Sequence, residues 1–345
     1  MSDAVDQLIS DFYAKTPLRY AFDFPQICTF LENRFNFLSR SLETTRPLQI
    51  YWTLFPYMLS IRQLKVQLDF LLNSDLWDNM QLSLVQEHLS NAQQQLNKLK
   101  PMIIQTLRTD FCQREFHHFH IMNAYGTVLS LKMLNFDVNQ LAQNALFMLT
   151  QLQCENGAFR ANPEGESDAR TTFAAVVIGK LTGLLNEPIF AQTREYLMSK
   201  QSYQGGFCSN GLEPHAAYTY CALAALKILN VELNAEEKSL HLHYLVNRQT
   251  KWGGLNGRPY KDPDGCYSWW VLGALHILDK DKLKLVNKDL FNKFALNCCQ
   301  PEDGCGLRDK PGVEPDSYHT AYVLGGWSII NGALDDEEVC LGICM

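Results

Sequence analysis

Four glutamines recur at nearly equal intervals, Gln153, Gln201, Gln249 and Gln300, with spacings of 48, 48 and 51 residues. Each leads into glycine and then Phe or Leu, in the segments QCENGAF, QSYQGGF, QTKWGGL and QPEDGCGL. A period of this length restricts the chain to architectures in which one supersecondary unit buries its apolar face on the next. Each unit reads as a helix entering the Gln/Gly turn, a glycine-rich loop, and a second helix rich in small residues (171–185, 216–229, 267–278 and 318–330). Period-two alternation is nearly absent, so the fold class is all-α. Such helix pairs stack openly as a solenoid or close into a double ring, and periodicity does not choose between the two.

Upstream, residues 1–115 are poor in glycine, and 61–73 and 83–100 carry apolar residues at helical spacing. In a chain of 345 residues, 46% apolar and 19% charged residues describe a globular protein rather than a disordered or fibrous one. The net charge of −7 argues against a generic nucleic-acid surface. No stretch is long and apolar enough to span a bilayer, and MSDAVDQLIS has no signal-peptide pattern, so a cytoplasmic location is expected. Eleven cysteines, an odd number, then read as reduced thiols. The ending CLGICM places Gly342, not cysteine, at the prenylation position, so the tail reads as untargeted.

The repeat register brings distant residues together. Where each loop ends and its second helix begins stand Asp168 and Arg170, then His215 and Tyr218, then Asp264, Cys266 and Tyr267, then Tyr318 and His319. In a regular repeat these positions share one rim, where helix N-termini offer free N–H groups and partial positive charge. Asp264, Cys266 and His319 supply one oxygen, one sulfur and one nitrogen, a three-ligand set of the kind that holds catalytic zinc. An Asp-x-Cys pair alone is more often a helix cap beside a buried thiol. Arg258, Lys261 and His215, three potential cations, stand near Tyr267 and suit a phosphate or diphosphate. Aromatic residues along the second helices would line a cavity for a long apolar ligand, or simply fill the core. His88, His117, His118 and His120 read as surface or packing residues.

GGLNGRPYKDPDGCYSWW, EPHAAYTYCALAAL and GLRDKPGVEPDSYHTAY resemble the β subunits of protein prenyltransferases, most of all those of protein farnesyltransferases. The likeness covers roughly residues 45–330. It implies an α/α toroid, a closed double ring of helices at 46–332, with a helical extension at 1–45 and a short tail at 333–345. It also implies an obligate prenyltransferase α subunit, a zinc ion, and farnesyl transfer from farnesyl diphosphate to the cysteine of CaaX-ending proteins such as small GTPases. The family's zinc ligands fall on Asp264, Cys266 and His319, and its diphosphate-binding positions on His215, Arg258, Lys261 and Tyr267. Its isoprenoid-lining positions fall on Arg170, Tyr218, Trp270 and Tyr125, and its peptide-packing positions on Trp52 and Tyr318. Magnesium assists diphosphate departure in the family, with no separate site legible here.

Donor length is where the indicators divide. Leu48 stands where farnesyltransferases usually carry Trp, which would admit a twenty-carbon donor, whereas Tyr322 is farnesyl-like. A geranylgeranyltransferase β subunit, of type I or the Rab type, is the alternative. Terpene cyclisation would need a DxDD-type acid motif, which is absent, and a non-catalytic scaffold would need no metal set.

Overall fold

The small-residue helices of the repeats form an inner ring. The computed structural model describes residues 3–15, 19, 21–37, 45–73, 79–111, 119–209, 211 and 213–345. After α1 (Asp3–Lys15) come helix pairs, the first member outer and the second inner. They are α2 (Phe24–Phe37) with α3 (Arg46–Leu72), α4 (Asn79–Thr106) with α5 (Ile121–Met133), and α6 (Ala142–Leu152) with α7 (Ala169–Leu181). Then follow α8 (Thr193–Met198) with α9 (Ala216–Ile228), α10 (Ala235–Val246) with α11 (Tyr267–Asp279), and α12 (Lys288–Lys293) with α13 (Ser317–Ile330). A last helix, α14 (Asp336–Leu341), packs on α9 and α11.

Each inner helix packs on the next, and α13 returns to α3, so the ring closes. The fold is an all-α double-ring toroid, and no strand occurs among the described residues, only isolated bridges. Ala, Gly and Thr on the inner helices allow this close approach. The inner helices are buried almost all round because neighbours flank them on both sides. The second helix of the first repeat ends at Leu181 rather than 185, because Gly183 takes φ +77° and turns the chain.

The turn glycines, with Gln153 and Gln249, turn out to be seams between pairs. Gln249 donates to the Asn287 carbonyl at 3.0 Å and accepts the Asn287 amide at 2.8 Å, gripping the entry to α12. Gln153 donates likewise to the Ile189 carbonyl at 2.8 Å. Gly157, Gly205 and Gly253 all have positive φ and back onto the carbonyls of Gln192, Leu240 and Leu290, at or in the next outer helix. In the fourth repeat Gly304 meets Asp23 instead, immediately before α2, so the outer ring closes too. Between α4 and α5 the Gln/Gly turn is missing, and residues 112–118, with His117 and His118, lie outside the described residues. The ten described cysteines are free thiols.

Candidate active site

Cys266 caps α11, and His319 stands in the first turn of α13 on the neighbouring pair. With Asp264 they bring one oxygen, one sulfur and one nitrogen within 4.8 Å of one another. Asp264 Oδ1 lies 3.4 Å from His319 Nε2 and accepts the Cys266 amide at 2.7 Å. Asp316 holds the imidazole from the other side. One of its oxygens accepts the His319 backbone N–H at 2.7 Å as the helix cap, and the other meets His319 Nδ1 at 2.6 Å. That contact puts a ring proton on Nδ1 and turns Nε2 toward Asp264.

Burial opposes a charge on His319, but Asp264 and Asp316 outweigh it and hold the ring up to about 9. Burial, then the Asp264 carboxylate, pushes the Cys266 thiol well above its ordinary range. A bound cation would displace a proton from both atoms. The donor set fits a borderline-soft ion of the zinc type, with a coordination position left for an incoming ligand.

Next to this triad His215 caps α9, its Nδ1 accepting the Ala217 amide at 3.2 Å. The proton of the neutral ring is therefore on Nε2 and is donated to Tyr267 Oη at 3.1 Å, leaving the phenol free to donate its own. Burial, followed by the charges of Arg258 and Arg170, drives His215 down to about 4. It is a neutral donor, which corrects the expectation of a third cation beside Arg258 and Lys261. Arg258 pairs with Glu213 at 2.8 Å, and Lys261 is exposed on the same loop. Gly257 closes that loop over Tyr267, where an added Cβ would overlap the phenol ring. Its carbonyl is pinned by the Tyr244 hydroxyl and the Ala216 amide, each at 2.9 Å. Arg170 forks onto Asp168 Oδ2 at 2.6 and 3.0 Å, and its guanidinium lies 5.1 Å over the Tyr218 ring.

Inward of these groups an aromatic wall adjoins His319. Tyr318 stands edge-on to Trp52 at 5.1 Å and to Tyr322 at 4.7 Å, and Trp270 lies 4.6 Å from Tyr322. The Trp52 indole donates to Tyr322 Oη at 3.1 Å and fixes that ring. Tyr125 is elsewhere, buried between Tyr51 and Phe173 with its hydroxyl on the Leu341 carbonyl at 3.5 Å. Leu48 is half-buried in the first turn of α3, where α5 backs onto it closely; a Cβ on Gly126 would stand 2.9 Å from Leu48 Cα.

Sequence reasoning missed the supporting residues. Asp316 precedes His319 by three, a helix-start signal that was there to be read. Gly257 and Tyr244 had no chemical signal. Asp309 lies in GLRDKPG and also had none. Burial, then the Asp264 charge, raises its pKa, and it pairs with Lys310.

A sequence model described as the prenyltransferase alpha-alpha toroid domain matches residues 25–340. The protein farnesyltransferase subunit beta of Schizosaccharomyces pombe is 37% identical over 235 residues, covering 64% of this chain and 61% of the relative. The geranylgeranyl transferase type-2 subunit beta of Saccharomyces cerevisiae is 35% identical over 182 residues, covering 52% of this chain and 55% of the relative. The chain thus spans about three fifths of the length of these curated relatives. Among solved structures, Candida albicans protein geranylgeranyltransferase-I complexed with GGPP superposes with a TM-score of 0.69 at 21% identity, covering 91% of this chain and 95% of that one. At that identity the superposition speaks to the fold.

Proposed function

The chain belongs to the prenyltransferase alpha-alpha toroid family, among its β subunits, and on that premise we propose that it is the β subunit of a zinc-dependent protein farnesyltransferase. The observation that carries this reading is the convergence of Asp264, Cys266 and His319 within 4.8 Å, beside the His215–Tyr267 pair. Neither a terpene cyclase nor a binding scaffold needs that combination of metal donors and anion donors.

Asp264, Cys266 and His319 would hold the zinc ion, which when bound keeps a substrate thiol ionised at neutral pH. His215 Nε2–H orients the Tyr267 phenol, whose proton then points to a diphosphate oxygen. Arg258 and Lys261 add positive charge at the mouth. These groups favour the charge that develops on the diphosphate as its bond to C1 of the isoprenoid breaks and the sulfur of the CaaX cysteine attacks C1. Arg170, Tyr218 and Trp270 line the path of the isoprenoid, and Trp52 with Tyr318 receives the end of the peptide. Magnesium assists diphosphate departure, with no residue assigned to it. A prenyltransferase α subunit completes the site, and the heterodimer works in the cytoplasm.

The test uses this chain co-expressed with an α subunit. Zinc at about one per β chain is expected, with farnesyl favoured over geranylgeranyl in competition for a CaaX peptide. Cys266→Ala should abolish turnover while isoprenoid diphosphate still binds. A Cys266→Ala enzyme working at full rate would sink the assignment. The geranylgeranyl reading draws on Leu48, and preference for the twenty-carbon donor, reversed by Leu48→Trp, would establish it.

A further inference from the structure

Arg170 and Arg258 of the rim each carry a carboxylate partner, but the two pairs are built differently. Arg170 lies on Asp168, whose side chain is 4% exposed, engages two guanidinium nitrogens and caps α7 through the Arg170 and Thr171 amides. That carboxylate cannot leave without uncapping the helix, so the pair is fixed. Arg258 meets Glu213 through a single contact, Nη1 to Oε2 at 2.8 Å, with the two side chains 40% and 56% exposed. Nε and Nη2 of Arg258 have no hydrogen-bond partner among the described residues. An exposed pair held at one point opens at little cost.

The backbone beneath brings these two side chains together. Glu213 stands on the loop before α9, and Arg258 on the loop before α11. The buried Tyr244 of α10 directs its hydroxyl between the Pro214 carbonyl at 3.0 Å and the Gly257 carbonyl at 2.9 Å, and so joins the residue after Glu213 to the residue before Arg258. The Ala216 amide reaches the same Gly257 carbonyl at 2.9 Å. Loops pinned in this way keep Glu213 within reach of Arg258, while both half-exposed side chains can still turn. His215 registers both charges. After burial, Arg258 pushes its pKa down, and Glu213 exerts a smaller, opposite influence. The Arg258 charge therefore reaches the His215–Tyr267 pair even while Glu213 holds it.

We infer that Glu213 is a positioning residue that holds Arg258 while the anion site is empty and yields it when a diphosphate arrives, so that the site binds diphosphate less tightly than its cations alone would. The inference rests on the prenyltransferase reading above, which puts the isoprenoid diphosphate at the His215–Tyr267 rim. A guanidinium turned toward that diphosphate leaves Glu213 to water, where over half of its side chain already lies. A carboxylate that stayed beside the diphosphate would repel it, so exchange of partner is the arrangement of lower energy. Asp168, held by its own cap, makes no such exchange with Arg170. The chain thus carries its own competitor for Arg258. Each diphosphate, on the donor or released from it, binds against that competitor, and its apparent affinity falls with the fraction of molecules in which Arg258 is engaged.

The experiment is calorimetric titration of inorganic pyrophosphate into the zinc-loaded heterodimer. Glu213→Gln, of the same shape but uncharged, should tighten binding about two- to fivefold, the range that an exposed ion pair supplies. Unchanged binding would overturn the inference, and so would weaker binding, which would make Glu213 a support that aims Arg258. A damaged fold would lose affinity, so a gain does not arise from misfolding. In an Arg258→Gln background the same substitution should no longer tighten binding. An equal gain there would mean that Glu213 acts through its field alone, and would also overturn the inference. A crystal structure of the unsubstituted heterodimer with pyrophosphate supplies a reading that no variant can confuse. The Glu213–Arg258 contact should be broken in it, and a pair still at hydrogen-bond distance would overturn the inference. An unsubstituted heterodimer that binds neither pyrophosphate nor farnesyl diphosphate and transfers no prenyl group would remove the prenyltransferase reading and this inference with it.

Discussion

Asp316 touches no proposed substrate, yet it decides which nitrogen of His319 is offered to a metal. Its side chain both caps α13 and holds Nδ1 at 2.6 Å. Asparagine is an equally good helix cap but a weaker partner for an imidazole N–H. Asp316→Asn should therefore keep the melting temperature while lowering zinc affinity roughly 10- to 100-fold, the usual effect of losing an outer-shell carboxylate. Zinc retention against a graded chelator reads this directly, and retention equal to the parent would reduce Asp316 to a cap. Gly257 makes the complementary case on the anion side. A methyl there would overlap the Tyr267 ring and break its contact with His215. Gly257→Ala should retain zinc but lose about tenfold or more in isoprenoid diphosphate affinity, since the displaced donor serves a charged group. Loss of zinc together with diphosphate would mean that the loop supports the whole site rather than Tyr267.

At the scale of elements, the seams between helix pairs carry the architecture. Gly253 takes φ +93°, and any side chain there would run into the Leu290 carbonyl in α12. Gly253→Ala should cost on the order of 3 kcal/mol from the left-handed backbone and the clash combined. Gly211→Ala, at a site with nothing within 4 Å and no positive φ, should be nearly neutral. Urea unfolding midpoints compare the two, and equal shifts would show that the seam tolerates separation. These seams explain what could be read from the chain and what could not. The four Gln/Gly turns are local, so their period was visible, and with it the rim that gathers Asp264, Cys266 and His319. The pairs α2/α3 and α4/α5 lack that turn and left no repeat signal, although α2 closes the outer ring at Gly304. The charge of His215 was invisible for a different reason. Arg258 lies close to it in space, and burial is the larger effect on its ring. Neither can be seen in a run of letters.

For the molecule as a whole, closure makes the first inner helix the neighbour of the last. A closed ring has no terminal repeat to fray, so a local loss of stability is shared around the toroid. Buried histidines then become a global liability in acid. His241 of α10 is completely buried, its ring stacked 4.7 Å from Phe207 and its Nδ1 accepting the Gly206 amide at 2.9 Å. Its Nε2 has no hydrogen-bond partner among the described residues, and burial, against a smaller opposing pull from Glu237, takes its pKa down to about 4. The ordinary value is 6.5, so between pH 6.5 and 4 the unfolded chain takes up a proton that the folded chain refuses. Stability from this group is intact above pH 6.5 and is lost as the pH falls toward 4, by on the order of 3 kcal/mol at the lower end. His215 adds in the same direction, its ring likewise held down to about 4. In the metal-free chain His319 moves oppositely, since its raised pKa makes a contribution that is complete below 6.5 and fades as the pH rises toward 9. Asp264 and Asp316 have lowered pKa values and lose their contribution only below the ordinary carboxylate range. In the metal-free chain the interval from pH 6.5 to 4.5 is therefore governed by the lowered histidines, with the raised Asp309 carboxyl acting in the opposite sense. Unfolding free energy should fall across it, and His241→Gln, whose amide oxygen can still accept from Gly206, should flatten the fall by about half. An identical slope in the variant would place the acid sensitivity elsewhere in the ring.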